Sequence, residues 1–570
     1  MPDVTETKPA QSAQFGASRA ARLATPGFAA LCALGLALSA PSGHADPKVA
    51  KQAVATESAL ATREAMAELD AGGNAVDAVV RAALVAGVVS PSSSGLGGGG
   101  FAVLWRAATH EPYVLDFRET APASIDASSF ETRPFKPEER ARASGVPGEL
   151  AGLFELQKSF GKRHWQDVAM PAARIALAGF AINPHMGEAL ASPFSKLAQT
   201  DAGIGSVFFP GGHALATGKQ TKNPKLGRTL ARIATQGTAP FYEGEIGQDL
   251  ILASRSKGGA LEANDLRDYH PQRRTPIHVT WEGYDIYTMP LPSAGGVLLG
   301  ETLGTFSKAE LAKLTLNSGA YQHTLAEAMR GALADRMRLM GDPDFEKLDI
   351  ATLLDPKRIA ARKLSISGER THALARFDQN EHGTHHLVVM DAEGNVASVT
   401  TTVNNAFGAK ISGATSGVVL NDELDDFTKQ KDVTPLGLTQ SPNRPRPGAR
   451  PVSSMTPTIV VKDGRVVLAI GGSGGQLIAT NVTQLLLARL TFGLTPDQLV
   501  ALPRFGVPTA GPSLLLEAGA APSLIDDLSW RGEVVQVMKE NPSGVQVIAL
   551  DDSGVSAAAD PRKHGSALSK

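Results

Sequence analysis

The pattern of apolar and polar residues divides the chain into a first part rich in helices and a second part rich in hairpins. Residues 53–89 are alanine-rich with helical spacing and are interrupted at Gly72-Gly73. This predicts two helices joined by a turn, the second beginning near Asn74. A strand-like run follows at 101–105, and residues 150–270 alternate helical stretches with glycine and proline. Two further elements are predicted before residue 383: a hairpin at 275–289 and a helix at 321–340.

Paired strands dominate after Gly383. Residues 386–390 and 396–404 flank a turn, and a similar pair follows at 458–461 and 466–470, so we predict two hairpins. Residues 428–450 lie between them with four prolines and no aromatic residue. We expect this segment to be a long loop, of the kind that forms lids or binding loops in compact domains.

Composition narrows the functional classes. The 570 residues carry 55 Lys and Arg against 57 Asp and Glu, so no basic surplus favours nucleic acid as a partner. With 42% hydrophobic residues the chain has ample material for a core. The single cysteine, Cys32, excludes a disulfide scaffold, a multi-cysteine zinc site and iron–sulfur ligation.

The first 45 residues are typical of an export signal. Arg19 and Arg22 precede an uncharged run of alanine and leucine at 28–40, and small residues follow up to Ala45. The run is too short to span a bilayer as a helix, and no later segment approaches a transmembrane run. We therefore predict a signal peptide at 1–45, no membrane span in the mature chain, and a periplasmic or secreted protein; a retained amphipathic anchor is the alternative.

The candidate chemistry begins at Thr384, which follows Gly383 at a junction of loop and strand. A hydroxyl in this place can attack the preceding carbonyl, because glycine offers no steric hindrance. An N→O acyl shift followed by ester hydrolysis then leaves Thr384 as a new N-terminus whose α-amine serves as base for its own hydroxyl. Thr402 and Asn404 lie two residues apart on the partner strand and share one face, close to Thr384.

Other residues suit an amino-acid head group and an oxyanion. Carboxylates suit a cationic amine, an arginine with two serines suits a carboxylate, and glycine N–H groups after a strand suit an oxyanion. In that order the candidates are Glu423 and Asp426; Arg118, Ser453 and Ser454; and Gly474 and Gly475.

Two motifs resemble cofactor or metal sites but lack the context that such sites require. The loop Gly95-Leu-Gly97-Gly-Gly-Gly100 matches G-x-G-x-x-G, but it leaves a helix and enters a strand, the reverse of a dinucleotide-binding loop. Its glycines instead favour close approach of the backbone to a site. His382, His385 and His386 lack the carboxylate spacing that would complete a metal site. We therefore expect no metal and no organic cofactor.

Taken in order along the chain, these residues resemble one family, the γ-glutamyltranspeptidases, also called glutathione hydrolases, among the N-terminal-nucleophile hydrolases. The resemblance runs from about Ala53 to Arg562. Its markers are Gly72-Gly-Asn-Ala-Val-Asp-Ala78, Gly95 to Phe101, Asp116-Phe-Arg-Glu119, Val146-Pro-Gly148, Met289-Pro-Leu-Pro-Ser-Ala-Gly-Gly296, Ala334-Asp-Arg336, Gly341-Asp-Pro343 and Ser453-Ser-Met-Thr-Pro457.

The resemblance implies an α+β fold, a four-layer αββα sandwich, in which self-cleavage between Gly383 and Thr384 gives two intertwined subunits. Residues 46–383 would form the large subunit and 384–570 the small one. It also implies roles, which are nucleophile for Thr384, tuning of the nucleophile for Thr402, amine binding for Asn404, Glu423 and Asp426, carboxylate binding for Arg118, Ser453 and Ser454, and the oxyanion hole for Gly474 and Gly475.

The activity implied is transfer of a γ-glutamyl group from glutathione or another γ-glutamyl compound to water, an amino acid or a dipeptide. The sequence departs from the family at His385 and Val388, where a small residue and Ser or Thr are usual, and the loop 428–450 lacks the tyrosine that covers the pocket in some bacterial members. We expect His385 to slow processing or to reshape the leaving-group side. The alternatives are a glutaryl or β-lactam side-chain acylase, a nonprocessing relative that binds γ-glutamyl compounds, and a structural or interaction protein.

Overall fold

Two β-sheets lie face to face at the centre of the molecule. The computed structural model describes residues 50–132, 136–372, 383–508 and 513–570. The first sheet has seven strands, in the spatial order Ser566–Ser569, Ala53–Thr56, Gly383–Met390, Val396–Asn404, Gly99–Arg106, Glu111–Phe117 and Gln272–Arg274. The second has six, in the order Gly554–Ala559, Gly544–Asp551, Arg465–Ser473, Thr458–Lys462, Tyr284–Thr288 and Ile277–Trp281.

Helices cover the outer face of each sheet. Those packed around the first sheet include Ala59–Asp70, Ala75–Val89, Glu149–Phe160, Trp165–Ala178, Pro184–Ala191, Pro224–Gln236 and Glu245–Arg255. Those packed around the second include Gly295–Thr305, Gly319–Leu339, Leu477–Phe492, Pro496–Ala501 and Pro522–Trp530. Two small sheets are added at the periphery, formed by Phe505–Gly506, Ser513–Glu517 and Val534–Met538, and by Phe180–Ala181 and Gln220–Thr221.

The strand Gly383–Met390 shows how the layers are held together. Side chains alternate between the two faces of a strand. Leu387 and Val389 pack in the core under the first helical layer, whereas Val388 and Met390 pack between the sheets. Every residue of this strand is buried, and burial on both faces explains the continuous apolar run from Leu387 to Met390 in its second half. The order helix, sheet, sheet, helix confirms the predicted four-layer αββα sandwich.

The element predictions are largely confirmed. Asn74 caps the helix Ala75–Val89 and forms a capping box with Asp77. The helix expected at 321–340 is Gly319–Leu339, and the hairpins fall where the alternation places them. The prediction of a helix at residues 53–56 is wrong, because these residues form a fully buried strand between Ser566–Ser569 and Gly383–Met390. Tertiary pairing here overrides the helical preference of alanine.

The segment 428–450 is mostly loop, as predicted, but contains the short helix Gln430–Val433 and the 3₁₀ turn Thr434–Leu436. In the part of the chain that the structure describes, no helix is both long enough and apolar enough to cross a membrane. The predicted signal peptide at 1–45 and His382 lie outside the described residues.

Candidate active site

Thr384 lies at the start of a central strand, directly opposite Thr402 on the neighbouring antiparallel strand. The two hydroxyl oxygens are 3.3 Å apart, and Thr402 Oγ1 donates to the Gly383 carbonyl oxygen at 2.6 Å. Thr402 Oγ1 also accepts the Asn404 N–H at 2.8 Å. One buried hydroxyl thus contacts both the candidate nucleophile and the carbonyl of the bond predicted to be cleaved.

Close backbone packing fixes the end of this hairpin. A Cβ at position 383 would lie 2.7 Å from the carbonyl oxygens of Asn404 and Ser92, so only glycine fits before Thr384. On the other side, a Cβ on Gly98 would lie 2.0 Å from the Thr402 carbonyl oxygen. The glycine run 97–100 therefore serves close approach of backbones around Thr402, as its composition predicts.

Arg118 directly follows the strand Glu111–Phe117, and its guanidinium is buried between two carboxylates. It pairs with Glu423, and its Nη2 donates to Asp426 Oδ2 at 2.6 Å. Its Nε donates to the Pro451 carbonyl at 3.2 Å, which places the 451–454 segment beside it. The structure thus brings the predicted amine-binding carboxylates and the predicted carboxylate-binding arginine into one ion-pair cluster.

Burial dominates the electrostatics of this cluster. It raises the pKa of Glu423 well above its ordinary value, although Arg118 opposes the shift. It raises the pKa of the neighbouring Glu119 to about 8. The cluster contains both a cation and carboxyl groups. The carboxylate of a bound amino acid can therefore pair with the arginine, and its ammonium can pair with the carboxyl groups.

Ser453 and Ser454 follow Pro451 in an extended segment. Ser453 Oγ accepts the Met455 N–H at 3.1 Å, and Ser454 Oγ accepts from Arg336 Nη1 at 2.6 Å. The contact between Arg336 and Ser454 was not predicted from the sequence. Arg336 belongs to one of the family markers, but no local pattern indicates that two residues 118 positions apart are in contact.

Gly474 and Gly475 lie between the strand Arg465–Ser473 and the helix Leu477–Phe492, with φ of 105° and 63°. A Cβ on Gly474 would lie 2.4 Å from Ser543 Cα, so glycine is required for packing as well as for conformation. N–H groups at a helix N-terminus favour a negative charge. The strand leading to them crosses the nucleophile strand where Gly471 packs against the His386 ring.

His385 lies on the opposite face of its strand from Thr384, on the side of the first helical layer. Its ring is fully buried, and burial lowers its pKa to about 3, so it is neutral. Because successive strand residues point to opposite faces, the His385 ring points away from the Thr384 hydroxyl, and the effect of His385 on self-cleavage and on the leaving-group side stays a prediction. His386 Nδ1 forms a hydrogen bond with Thr400 Oγ1 at 2.8 Å. Within the described ranges, no three His, Cys, Asp or Glu side chains are grouped to hold a metal ion.

With this geometry established, comparison with known proteins identifies the family. The gamma-glutamyltranspeptidase family model matches residues 61–569. The chain belongs to this family. The glutathione hydrolase proenzyme of Pseudomonas aeruginosa is 34% identical over 550 residues, covering 94% of this chain and 98% of that one. The Escherichia coli proenzyme is 33% identical, covering 90% and 91%.

Solved structures agree on the fold. Cephalosporin acylase from Bacillus halodurans superposes with a TM-score of 0.81 at 24% identity, covering 93% of this chain and 99% of that one; this likeness concerns the fold alone. Gamma-glutamyltranspeptidase from Pseudomonas nitroreducens complexed with L-DON gives 0.52 at 33% identity, covering 55% and 94%.

Proposed function

We propose that this protein is an autoprocessing γ-glutamyltransferase and glutathione hydrolase. The observation that carries the proposal is the arrangement at the hairpin end, where the Thr402 hydroxyl reaches both Thr384 Oγ1 and the Gly383 carbonyl. Family membership over residues 61–569 and relatives named glutathione hydrolase proenzyme support it.

Self-cleavage precedes activity. Thr384 Oγ attacks the Gly383 carbonyl carbon, and the Thr402 hydroxyl stabilises the charge that develops on the carbonyl oxygen. The C–N bond breaks as the amide nitrogen takes up a proton, which leaves an ester that water hydrolyses. The products are the large subunit, 46–383, and the small subunit, 384–570, with a free α-amine on Thr384.

Substrate binding uses the ion-pair cluster. The γ-glutamyl α-carboxylate binds Arg118 with Ser453 and Ser454, and the α-ammonium binds Glu423, Asp426 and Asn404. The zwitterionic head group replaces the internal Arg118–Asp426 contact, so each buried charge keeps a partner of opposite sign. This exchange favours an amino acid over a simple dicarboxylic acid.

Turnover repeats the chemistry on the substrate. The Thr384 α-amine takes the hydroxyl proton as Oγ attacks the γ-amide carbonyl. Gly474 and Gly475 hold the oxyanion, where the loss of one donor in other hydrolases costs roughly 3–4 kcal/mol. The amine leaves with a proton, and water, an amino acid or a dipeptide then resolves the γ-glutamyl ester. In this proposal the nucleophile, the base and the donors to the oxyanion are all supplied by side chains and backbone groups of this chain.

The cellular setting belongs to the same proposal. A cleaved leader at 1–45 would deliver the precursor to the periplasm or the medium, where γ-glutamyl compounds and acceptors are the partners. Mass analysis of the secreted protein gives the mature N-terminus. A chain that keeps residues 1–45 would contradict export through a cleaved signal.

The decisive experiment is an intact-mass spectrum of the purified protein beside Thr384→Ala. The wild type is expected to give two species, one ending at Gly383 and one beginning at Thr384, that co-elute without denaturant. The variant is expected to give one chain with no γ-glutamyl-anilide hydrolysis. An uncut wild type would favour the nonprocessing relative.

A second variant separates transferase from acylase. Asp426→Asn keeps the size of the side chain but removes the charge that faces the substrate ammonium. We expect kcat/KM for γ-glutamyl anilide to fall at least 100-fold, while glutaryl anilide, which lacks the ammonium, loses far less. Equal losses on both substrates would contradict the amine contact.

A further inference from the structure

A buried carboxyl group outside the assigned site lies at the edge of the nucleophile strand. The strand Ala53–Thr56 pairs with the nucleophile strand only from Leu387 to Met390, and Glu57 follows directly after it. Glu57 Oε1 accepts the His386 N–H at 3.1 Å, in the place where a further strand residue would otherwise accept it. The Glu57 side chain therefore continues the hydrogen bonding along the edge of the nucleophile strand by one residue, in the direction of Thr384.

The backbone of the strand directs the Thr384 nitrogen to the same edge. Thr384 and His386 pair with Thr402 and Thr400, two steps apart in one antiparallel register. Residues two apart present their N–H groups to the same side of a strand. Because the His386 N–H points to Glu57, away from the partner strand, the Thr384 nitrogen also faces this edge, roughly 7 Å further along.

Glu57 also reaches the turn that leads to the candidate oxyanion hole. Burial raises the pKa of Glu57 to about 7, although Lys563 and the Ser473 hydroxyl, one residue before Gly474, lower it. Within the described residues, Glu57 Oε2 and Ser473 Oγ have no hydrogen bond of standard geometry, and neither has His385, whose Nδ1 is 4.0 Å from Glu57 Oε2. The carboxyl thus keeps an unsatisfied oxygen beside the nucleophile strand.

The charged and titratable groups around Glu57 come from three other elements. The nearly buried Lys563 lowers the pKa of Glu57 and Asp560 raises it, while the two histidines of the nucleophile strand have pKa values lowered to about 3. Burial lowers the pKa of Lys563, although Glu188 opposes the shift. Burial lowers the pKa of His185, and Lys563, His385 and His564 lower it further. Because the two histidines of the nucleophile strand are neutral, the charged groups that act on Glu57 at this edge are Lys563 and Asp560.

We propose that Glu57 is a positioning residue for the N-terminal nucleophile, whose carboxylate fixes the end of the strand that carries Thr384 and holds a negative charge beside the Thr384 α-amine. This inference rests on the proposed self-cleavage at Gly383. A carboxylate stabilises the ammonium form, so it raises the pH at which the amine becomes available as base. At about 7 Å in a partly screened interior, the shift is on the order of one pH unit.

The test is the pH profile of Glu57→Gln, which keeps an acceptor for the His386 N–H but removes the charge. We expect the acidic limb of kcat/KM for γ-glutamyl anilide to move about one unit lower. Glu301→Gln, which removes a buried carboxyl under the opposite helical layer, is expected to leave the limb in place. A limb unchanged in cleaved Glu57→Gln would overturn the proposal.

A readout without substrate separates this inference from the proposed function. Cyanate carbamylates the neutral form of an amine, so the rate of carbamylation of Thr384 against pH, followed by the mass of the N-terminal peptide of the small subunit, reports the pKa of the Thr384 amine. A shift here without anilide hydrolysis in the wild type would leave the inference standing and the proposed function wrong.

If Glu57→Gln stays uncut, Glu57→Asp is compared in the same cleavage assay. Recovery of cleavage by aspartate supports the role of the charge. Failure of both variants to be cleaved, with both folded by circular dichroism, would assign Glu57 to packing and overturn the proposal.

Discussion

At the scale of single residues, the Thr402 hydroxyl makes three contacts at the candidate site. It donates to the Gly383 carbonyl, lies 3.3 Å from Thr384 Oγ1 and accepts the Asn404 N–H. A hydroxyl has one proton and two lone pairs, so these three contacts use its full capacity. Self-cleavage places new charge on the carbonyl oxygen that this single proton contacts.

We therefore expect Thr402→Val, which keeps the shape but not the hydroxyl, to slow self-cleavage 10- to 100-fold, the effect of one buried hydrogen bond worth about 1–3 kcal/mol. The measurement is the half-time of chain conversion on a denaturing gel. Thr401→Val is the matched control, because Thr401 points to the other face and pairs with Ser94 Oγ at 2.8 Å. Equal slowing in both variants would count against a specific role for Thr402.

The sequence accounts for contacts along one hairpin better than for contacts between distant segments. A period of two residues is enough to place Thr402 opposite Thr384, whereas a register shift between Thr402 and Asn404, with φ of 71° at Asn404, breaks that period before Asn404. No local pattern predicts that Arg118 pairs with Glu423 and Asp426, or that Arg336 reaches Ser454, because tertiary packing creates these contacts. No local pattern singles out Glu57 either, because residues 53–89 are predicted to be helical and only tertiary packing brings the Glu57 carboxyl to the His386 N–H.

At the scale of elements, the glycine loop and the nucleophile hairpin form one packed unit. Gly97 approaches the Val419 backbone, and Gly98 and Gly100 approach the strand Val396–Asn404. Asn421 joins this unit to the acidic turn, since its Nδ2 donates to the Gly97 carbonyl at 2.7 Å and its Oδ1 accepts the Glu423 N–H at 3.1 Å. A shift of the loop therefore moves Thr402 and Glu423 together.

Gly98→Ala tests this coupling. The new Cβ would lie 2.0 Å from the Thr402 carbonyl oxygen, so the strand must move, at a cost of about 1–3 kcal/mol. We expect self-cleavage at least tenfold slower and a raised KM for γ-glutamyl anilide in the fraction that is cleaved. Gly368→Ala is the control, because the nearest atom to its new Cβ is 4.0 Å away. Normal cleavage in Gly98→Ala would show that the loop and the hairpin move independently.

At the scale of the whole molecule, the order of strands explains why cleavage need not separate the two chains. In the first sheet, Ala53–Thr56 lies between Ser566–Ser569 and Gly383–Met390, so a strand that precedes the proposed cleavage site stands between two that follow it. The second sheet joins Thr458–Lys462 to Tyr284–Thr288 in the same way. Each core is built from both sides of the Gly383–Thr384 bond.

The same cores bury carboxyl groups, which makes stability depend on pH. Burial raises the pKa of Glu149 to about 8, so the folded chain holds a proton that the unfolded chain releases above about 4.5. The folded form binds more protons in this window, so stability falls as pH rises from about 4.5 to 8, by at most about 1.4 kcal/mol per pH unit for each group. Above the folded pKa the full loss is present.

Glu149→Gln in the uncleaved Thr384→Ala background isolates this term. Glutamine resembles the protonated carboxyl that accepts the Gly95 N–H at 3.2 Å, and it cannot ionise. We expect equal melting temperatures for parent and variant at pH 5, and a variant roughly 5 °C more stable at pH 8.5, measured by calorimetry at fixed ionic strength. Because the parent loses stability only where Glu149 must ionise on unfolding, a constant difference across this range would mean that the substitution acts through packing and that the carboxyl carries its charge in the folded protein.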